Sequence, residues 1–209
     1  MRIASLTILC LTMALPAMSG TIYENGPING EVDAWVINNG DIVSDTLTVF
    51  GGNSIVTGLS FAAWLFPGDT LASVEVSITS RINAGTIYFD ETVAFSASDC
   101  APNQEGFNVC TETGSFNGPT LPKGTYWLNL QNASVTNDDL IGWDQNSGVG
   151  CQSPGCPSQG WDSNAGPIPS ESFSVLGSAS STTPEPSSIV LFGSGLVVGM
   201  AEMLRRKLS

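Results

Sequence analysis

No histidine occurs anywhere in the 209-residue chain. That removes Ser-His-Asp and Cys-His catalysis, imidazole-ligated zinc and the commonest general base. Basic residues are nearly as scarce. There are six, of which Arg205, Arg206 and Lys207 form one cluster, and only Arg81 and Lys123 fall between Gly20 and Thr183. That same stretch holds all of the 19 acidic residues except Glu185 and Glu202, a net charge of about −15. Such a surface repels phosphate and anionic lipid, which argues against nucleic acid as a partner and leaves calcium, cationic surfaces and neutral polysaccharides. The chain also lacks an internal repeat of fixed period and, before residue 187, any sustained helical period.

What is present instead is alternation. Val74, Val76 and Ile78 recur at period two against Ser73, Glu75, Ser77 and Thr79, which predicts a strand with one buried and one wet face. VDAWVI and IVSDTLTVF flank Asn38-Asn39-Gly40-Asp41, the strongest short-range signal for a β-hairpin, with Asp33 and Asp45 at solvent-facing positions. Further strands are predicted over Ser54–Phe66, Thr86–Phe95, Gly106–Phe116, Thr125–Gln131 and Glu171–Leu176, with Pro67-Gly68-Asp69 as a turn. Short strands punctuated by Gly, Pro, Asn and Asp predict an all-β domain over residues 20–176. The expected architecture is an antiparallel β-sandwich or jelly roll of about eight or nine strands.

Candidate functional residues follow from composition and context. Trp35, Trp64 and Trp127 lie in apolar strand contexts and read as core. Trp143 and Trp161 lie in the polar stretches GWDQNSG and QGWDSNAG, where indoles would stack on sugar rings, so these two are the candidate glycan contacts. Cys100 with Cys110 and Cys151 with Cys156 are the simplest disulfide pairing, and their spacings match no usual thiolate zinc motif. Asp138, Asp139 and Asp144 crowd carboxylate oxygens after a strand and are weak calcium candidates without EF-hand spacing; solvated turn carboxylates are the bland alternative. Adjacent acids such as Asp90 and Glu91 point apart in a strand, so no catalytic pair is legible and no cofactor is called for.

The two ends carry the addressing signals. Arg2, the apolar run Ile3–Leu15 and the small residues Ala17 and Ser19 before Gly20 form a secretory signal peptide over residues 1–19. Residues 177–183, GSASSTT, read as a polar linker. Pro184-Glu185-Pro186 then presents a carboxylate on extended backbone. Residues 187–204 form an apolar run with one charge, Glu202, within helical reach of Arg205. At about 1.5 Å per residue the run reaches roughly 27 Å, close to a bilayer core of about 30 Å. Arg205, Arg206 and Lys207, in the basic tail 205–209, hold its far end in the cytoplasm by the positive-inside rule.

Proline-framed glutamate, apolar run and basic cluster, in that order over residues 184–209, resemble the PEP-CTERM sorting signal of bacterial envelope proteins. DAWVINNGDIVSDTLTV, VTGLSFAAWLFPGDTLASVEVSIT, GTYWLNLQNASVTNDDLIGWDQNSG and IPSESFSVLG are similar to segments that recur in that group. The resemblance implies export through the secretion machinery and signal peptidase. It further implies retention in the inner membrane with the ectodomain outside, and processing near Glu185 by an exosortase for release to the cell surface or extracellular matrix. It implies a β-sandwich and attaches no activity to it. The reading is therefore a non-enzymatic structural or adhesive module, with an exopolysaccharide-binding module second and a histidine-free glycoside hydrolase third.

Overall fold

A computed structural model describes residues 20–146 and 158–179. Ala17, Ser19, Cys151, Cys156, the Pro184-Glu185-Pro186 motif, the run 187–204 and Arg205, Arg206 and Lys207 lie outside the described residues. Unit boundaries fall between Ala179 and Ser180.

The described chain is all-β, with no helix. Its strands are β1 (Gly20–Glu24), β2 (Ala34–Val36), β3 (Ile42–Val49), β4 (Ser54–Leu65), β5 (Leu71–Arg81), β6 (Ala84–Ala94) and β7 (Ser96–Pro102). They continue with β8 (Asn108–Ser115), β9 (Thr120–Leu121), β10 (Gly124–Val135), β11 (Gly142–Asp144), β12 (Gly160–Asp162), β13 (Gly166–Ile168) and β14 (Phe173–Ala179). They make two antiparallel sheets. The first, eight-stranded, runs β1-β14-β4-β11-β2 with β8 and β9 also on β4 and β7 on β8; the second, six-stranded, runs β13-β12-β3-β10-β5-β6.

Alternation builds one core between the sheets. Val43 and Leu47 of β3, Val76 and Ile78 of β5, and Leu128 and Leu130 of β10 meet Leu59, Phe61 and Leu65 of β4, Trp143 of β11 and Phe173 of β14. Each such side chain contributes about 1.5–3 kcal/mol on burial. β4 organises the first sheet because its twelve residues pair with β14 and β11 along one edge and with β8 and β9 along the other.

Four expectations are corrected. Strands are more numerous than eight or nine, because β1, β7, β9, β11, β12 and β13 are short or polar and carry weak alternation. The Asn-Gly turn forms, with Asn39 and Gly40 at φ 55° and 92° and Asp41 N donating to Asn38 O, but it joins no hairpin. β2 pairs with β11 in one sheet and β3 with β10 and β12 in the other, so the turn is the crossover between layers. Asp45 is not solvent-facing: it shares the parity of Val43, Leu47 and Val49 and is fully buried. The linker starts later than residue 177, because Gly177, Ser178 and Ala179 are in register with Val56, Ile55 and Ser54 of β4. Gly177 is needed there: an added Cβ would lie 2.2 Å from the Ile55 carbonyl oxygen.

The far face of the six-stranded sheet is drier than its polarity suggests. Ser77 and Thr79 are buried, and Asn129 between them donates to Ser77 Oγ and Thr79 Oγ1, both at 3.0 Å, while accepting from Ser44 Oγ at 2.7 Å.

Candidate functional site

The triplet Gly-Trp-Asp occurs in β11 and again in β12, and the two copies face opposite ways. In β11, Trp143 points into the core, fully buried, with rings of Phe61 and Phe173 at 6.1 and 5.4 Å and its indole N–H donating to Ser172 O at 2.9 Å. Trp143 is therefore not a glycan contact. Its polar flanks are polar because Asp144, on the opposite face, is itself enclosed. In β12 the register opposes Trp161 to Ser44, on the far face of the six-stranded sheet, and turns Asp162 toward the core beside Val43. Trp161 is part-exposed there, as is Trp127 of β10, two residues from the Asn129 that opposes Ser44. Of the tryptophans read as core, Trp64 is buried and Trp35 packs partly buried against the main cluster, whereas Trp127 faces outward.

The acidic residues also separate. Asp138 and Asp139 are exposed in the β10–β11 connection, whereas Asp144 is buried in β11 and fully engaged. Its Oδ1 accepts from Trp64 Nε1 at 2.7 Å and Gly30 N at 3.0 Å, and its Oδ2 from Asn29 N at 3.1 Å. These three do not form a common site. Among the described residues, no group of three or more Asp, Glu, Cys or His side chains is arranged to hold a metal.

A different cluster gathers where residues 144–146 and 170–172 bridge the two sheets. Asp45 Oδ2 accepts from Glu171 N at 2.6 Å and from Asn25 Nδ2 at 3.1 Å, and Asp45 Oδ1 accepts from Thr46 N at 2.6 Å. Asn25 Nδ2 also reaches Glu171 O at 2.7 Å, and Asn146 Nδ2 reaches the same carbonyl at 3.0 Å and Asn25 O at 2.6 Å. Tyr23 OH donates to Asn25 Oδ1 at 2.8 Å. Glu171 stands at the centre of this network through its backbone alone. Both of its carboxylate oxygens are buried without a hydrogen-bond partner, and so is Asn146 Oδ1.

Burial governs the electrostatics. Desolvation pushes Asp45 up to about 7 despite its hydrogen bonds from Glu171 and Thr46. Asp144 is raised by the same cause, opposed by Trp64 and the backbone donors of Asn29 and Gly30. The Ser158 and Ser172 hydroxyls lower Asp45 and Asp144 by proximity, without reaching hydrogen-bond geometry. Glu171 is also raised, first by desolvation and then by Asp45, Asp144, Asp33 and Asp162. Among the described residues the only cations, Arg81 and Lys123, are exposed. A second buried acid, Glu112 of β8, has both oxygens unpartnered and is pushed to about 7 by desolvation.

A separate apolar cavity of about 230 Å³ lies on the outer side of the eight-stranded sheet, between Trp64, Phe66, Phe107, Leu140 and the bare Gly142. Its one carboxylate is Asp33, so the two facing acids that glycoside hydrolysis requires are not there.

The buried network was missed in the sequence because its members are spread over residues 23–25, 45, 146 and 170–171. Asp45 had a signal, the parity it shares with Val43 and Leu47; Glu171 had none. Cys100 and Cys110 are joined by a disulfide across β7 and β8, as their spacing predicts. Gly20, the expected first residue after signal cleavage, opens β1 opposite Gly177. No helix among the described residues is long and apolar enough to cross a membrane. Comparison of the chain with protein families, with characterised proteins and with solved structures finds no match.

Proposed function

We propose that the chain is an exported cell-envelope protein whose β-sandwich acts outside the cytoplasm as a structural or adhesive module. Secretion machinery and signal peptidase deliver it, residues 187–204 hold it in the inner membrane, and an exosortase acts at Pro184-Glu185-Pro186 before it reaches the surface or matrix. The observation that carries this reading is the order of the three tail segments, motif, apolar run and basic cluster, in residues 184–209. The Cys100–Cys110 disulfide supports it, since such bonds persist in oxidising compartments. So does a surface whose only basic residues between Gly20 and Thr183 are Arg81 and Lys123, which suits neutral or cationic surroundings.

Alkylation of thiols in fractionated cells, before and after reduction, tests it. Cys100 and Cys110 are expected to be blocked until reduced, in a chain recovered from membrane or external fractions. A cytosolic chain with both thiols free overturns the proposal.

Trp161 and Trp127, part-exposed on the same face of the six-stranded sheet, favour glycan binding as a second reading. Retention on a polysaccharide array that Trp161→Ala abolishes would support it, and no retention of the wild-type chain would remove it.

A further inference from the structure

Asparagine followed by glycine is among the least durable steps in a polypeptide, because glycine has no Cβ to hinder its own nitrogen from closing on the preceding side-chain amide. Four such steps occur: Asn25-Gly26, Asn29-Gly30, Asn39-Gly40 and Asn117-Gly118. The fold restrains three of them. Asn25 is fully buried, with its amide nitrogen donating to Asp45 Oδ2 and Glu171 O and its amide oxygen accepting from Tyr23 OH. Asn29 Nδ2 donates to Gln145 O at 2.8 Å and its Oδ1 accepts from Glu31 N at 2.8 Å, while Gly30 N is held on Asp144 Oδ1 at 3.0 Å. Asn117 is exposed, but Gly118 N donates to Val56 O at 3.1 Å. Asn39-Gly40 carries none of these restraints. Both residues are exposed in the turn between β2 and β3. The bond that closes this turn runs from Asp41 N to Asn38 O, and among the described residues neither the Asn39 amide nor Gly40 N has a hydrogen-bond partner. A Cβ built on Gly40 would meet nothing within 4 Å, so no neighbour crowds the step.

We infer that Asn39 is the deamidation site of the folded chain, converting with water to a mixture of aspartate and isoaspartate while Asn25, Asn29 and Asn117 are preserved.

The chemistry needs only the chain and water. Gly40 N gives up its proton and attacks Asn39 Cγ; the N–Cγ bond forms as Cγ–Nδ2 breaks, and the side-chain nitrogen leaves as ammonia with that proton. Water then opens the cyclic imide. Cleavage of the new N–Cγ bond restores the backbone and leaves an aspartate carboxylate. Cleavage between the Asn39 carbonyl carbon and Gly40 N routes the chain through the side chain as isoaspartate. At the other three steps a buried amide or a bonded nitrogen must first be released by local opening, and the reactive population falls by that opening equilibrium. Either product places a new negative charge in the polar recess that Asn39 lines together with Asp138. Isoaspartate also lengthens the backbone at the crossover between the two sheets, next to Asn38, whose amide nitrogen ties the turn to Asp139 O at 2.8 Å. The crossover is therefore where the ageing molecule changes first.

The test is a time course of the full chain in mildly alkaline buffer, read by peptide mass mapping. A glutamyl endopeptidase cutting after Glu24, Glu31, Glu75, Glu112 and Glu171 puts Asn25 and Asn29 in peptide 25–31, Asn39 in 32–75 and Asn117 in 113–171, and fragmentation places the change within each. The mass gain of amide-to-acid exchange is expected at Asn39 at least about tenfold faster than at Asn25, Asn29 or Asn117. In urea, where the restraints are gone, the four rates should converge. Asn39→Gly tolerates the positive φ and removes the amide, and should abolish the gain at this turn. A folded chain in which Asn39 stays intact, or reacts no faster than the other three, overturns the inference. The same ranking in urea would trace the difference to sequence and overturn it as well. The outcome is independent of the export reading, because it is measured on purified protein.

Discussion

Trp143 and Trp161 have the same neighbours in sequence, glycine before and aspartate after, and opposite fates in the fold. A strand's side chains alternate, so a shift of one residue in pairing exchanges its two faces. Truncation should expose the difference. Trp143→Ala removes a fully buried indole lodged between Phe61 and Phe173 and is expected to cost about 3–5 kcal/mol in urea unfolding. Trp161→Ala, at a part-exposed position, should cost less than half of that; equal losses would contradict the assigned faces. Glu112 provides a second test. Its proton affinity is raised from 4.5 to about 7 by desolvation, so its stabilising contribution is complete below about pH 4.5 and is lost as pH rises through 7. It has no accessible surface, one strand in from the β7 edge. In EDTA, Tm should fall between pH 5 and 8, and Glu112→Gln should be the more stable form at pH 8, on the order of 1–3 kcal/mol. A flat or rising wild-type profile would contradict this. The parity of Asp45 was readable beforehand. The orientation of Trp143 was not, because polar flanking residues look the same whether they face solvent or an enclosed network.

Among the elements, strands with strong alternation were legible and their partners were not. Val74, Val76 and Ile78 announced β5, and the apolar stretch from Ser54 announced β4. The Asn38-Asn39-Gly40-Asp41 turn was recognised as a turn, since positive φ at Asn39 and Gly40 is a local property. Whether the flanking strands then pair is a property of the whole sheet, and here β11 and β10 compete successfully for β2 and β3. β14 was cut short at Leu176 because glycine and serine look like linker; pairing with β4 carries the strand on to Ala179. Gly177→Ala tests this directly. Its Cβ would press on the Ile55 carbonyl and force β14 away from β4, at an expected cost of about 2 kcal/mol or more by thermal denaturation. A neutral outcome would place residue 177 in a linker after all. The Cys100–Cys110 bond, closing a loop of ten residues between β7 and β8, is expected to contribute about 2–3 kcal/mol, read as the loss in the Cys100→Ser, Cys110→Ser double variant.

For the whole molecule, the sandwich and the addressing signals answer different questions. Residues 20–146 and 158–179 bury one core between two sheets and draw a group of acids inside it; residues 184–209 carry the order of segments on which the sorting proposal stands. The fold class was visible in the sequence as period-two alternation without helical period. The buried acid cluster was not, since tertiary proximity of Asn25, Asp45, Asn146 and Glu171 leaves no trace in spacing. The central proposal depends on Glu185 and is tested most directly by intact mass and localisation of the protein with and without Glu185→Ala. The account predicts that the wild-type chain loses the residues beyond its proline-framed motif and leaves the inner membrane, while the variant keeps them and stays there. Identical mass and identical destination for the two would contradict it.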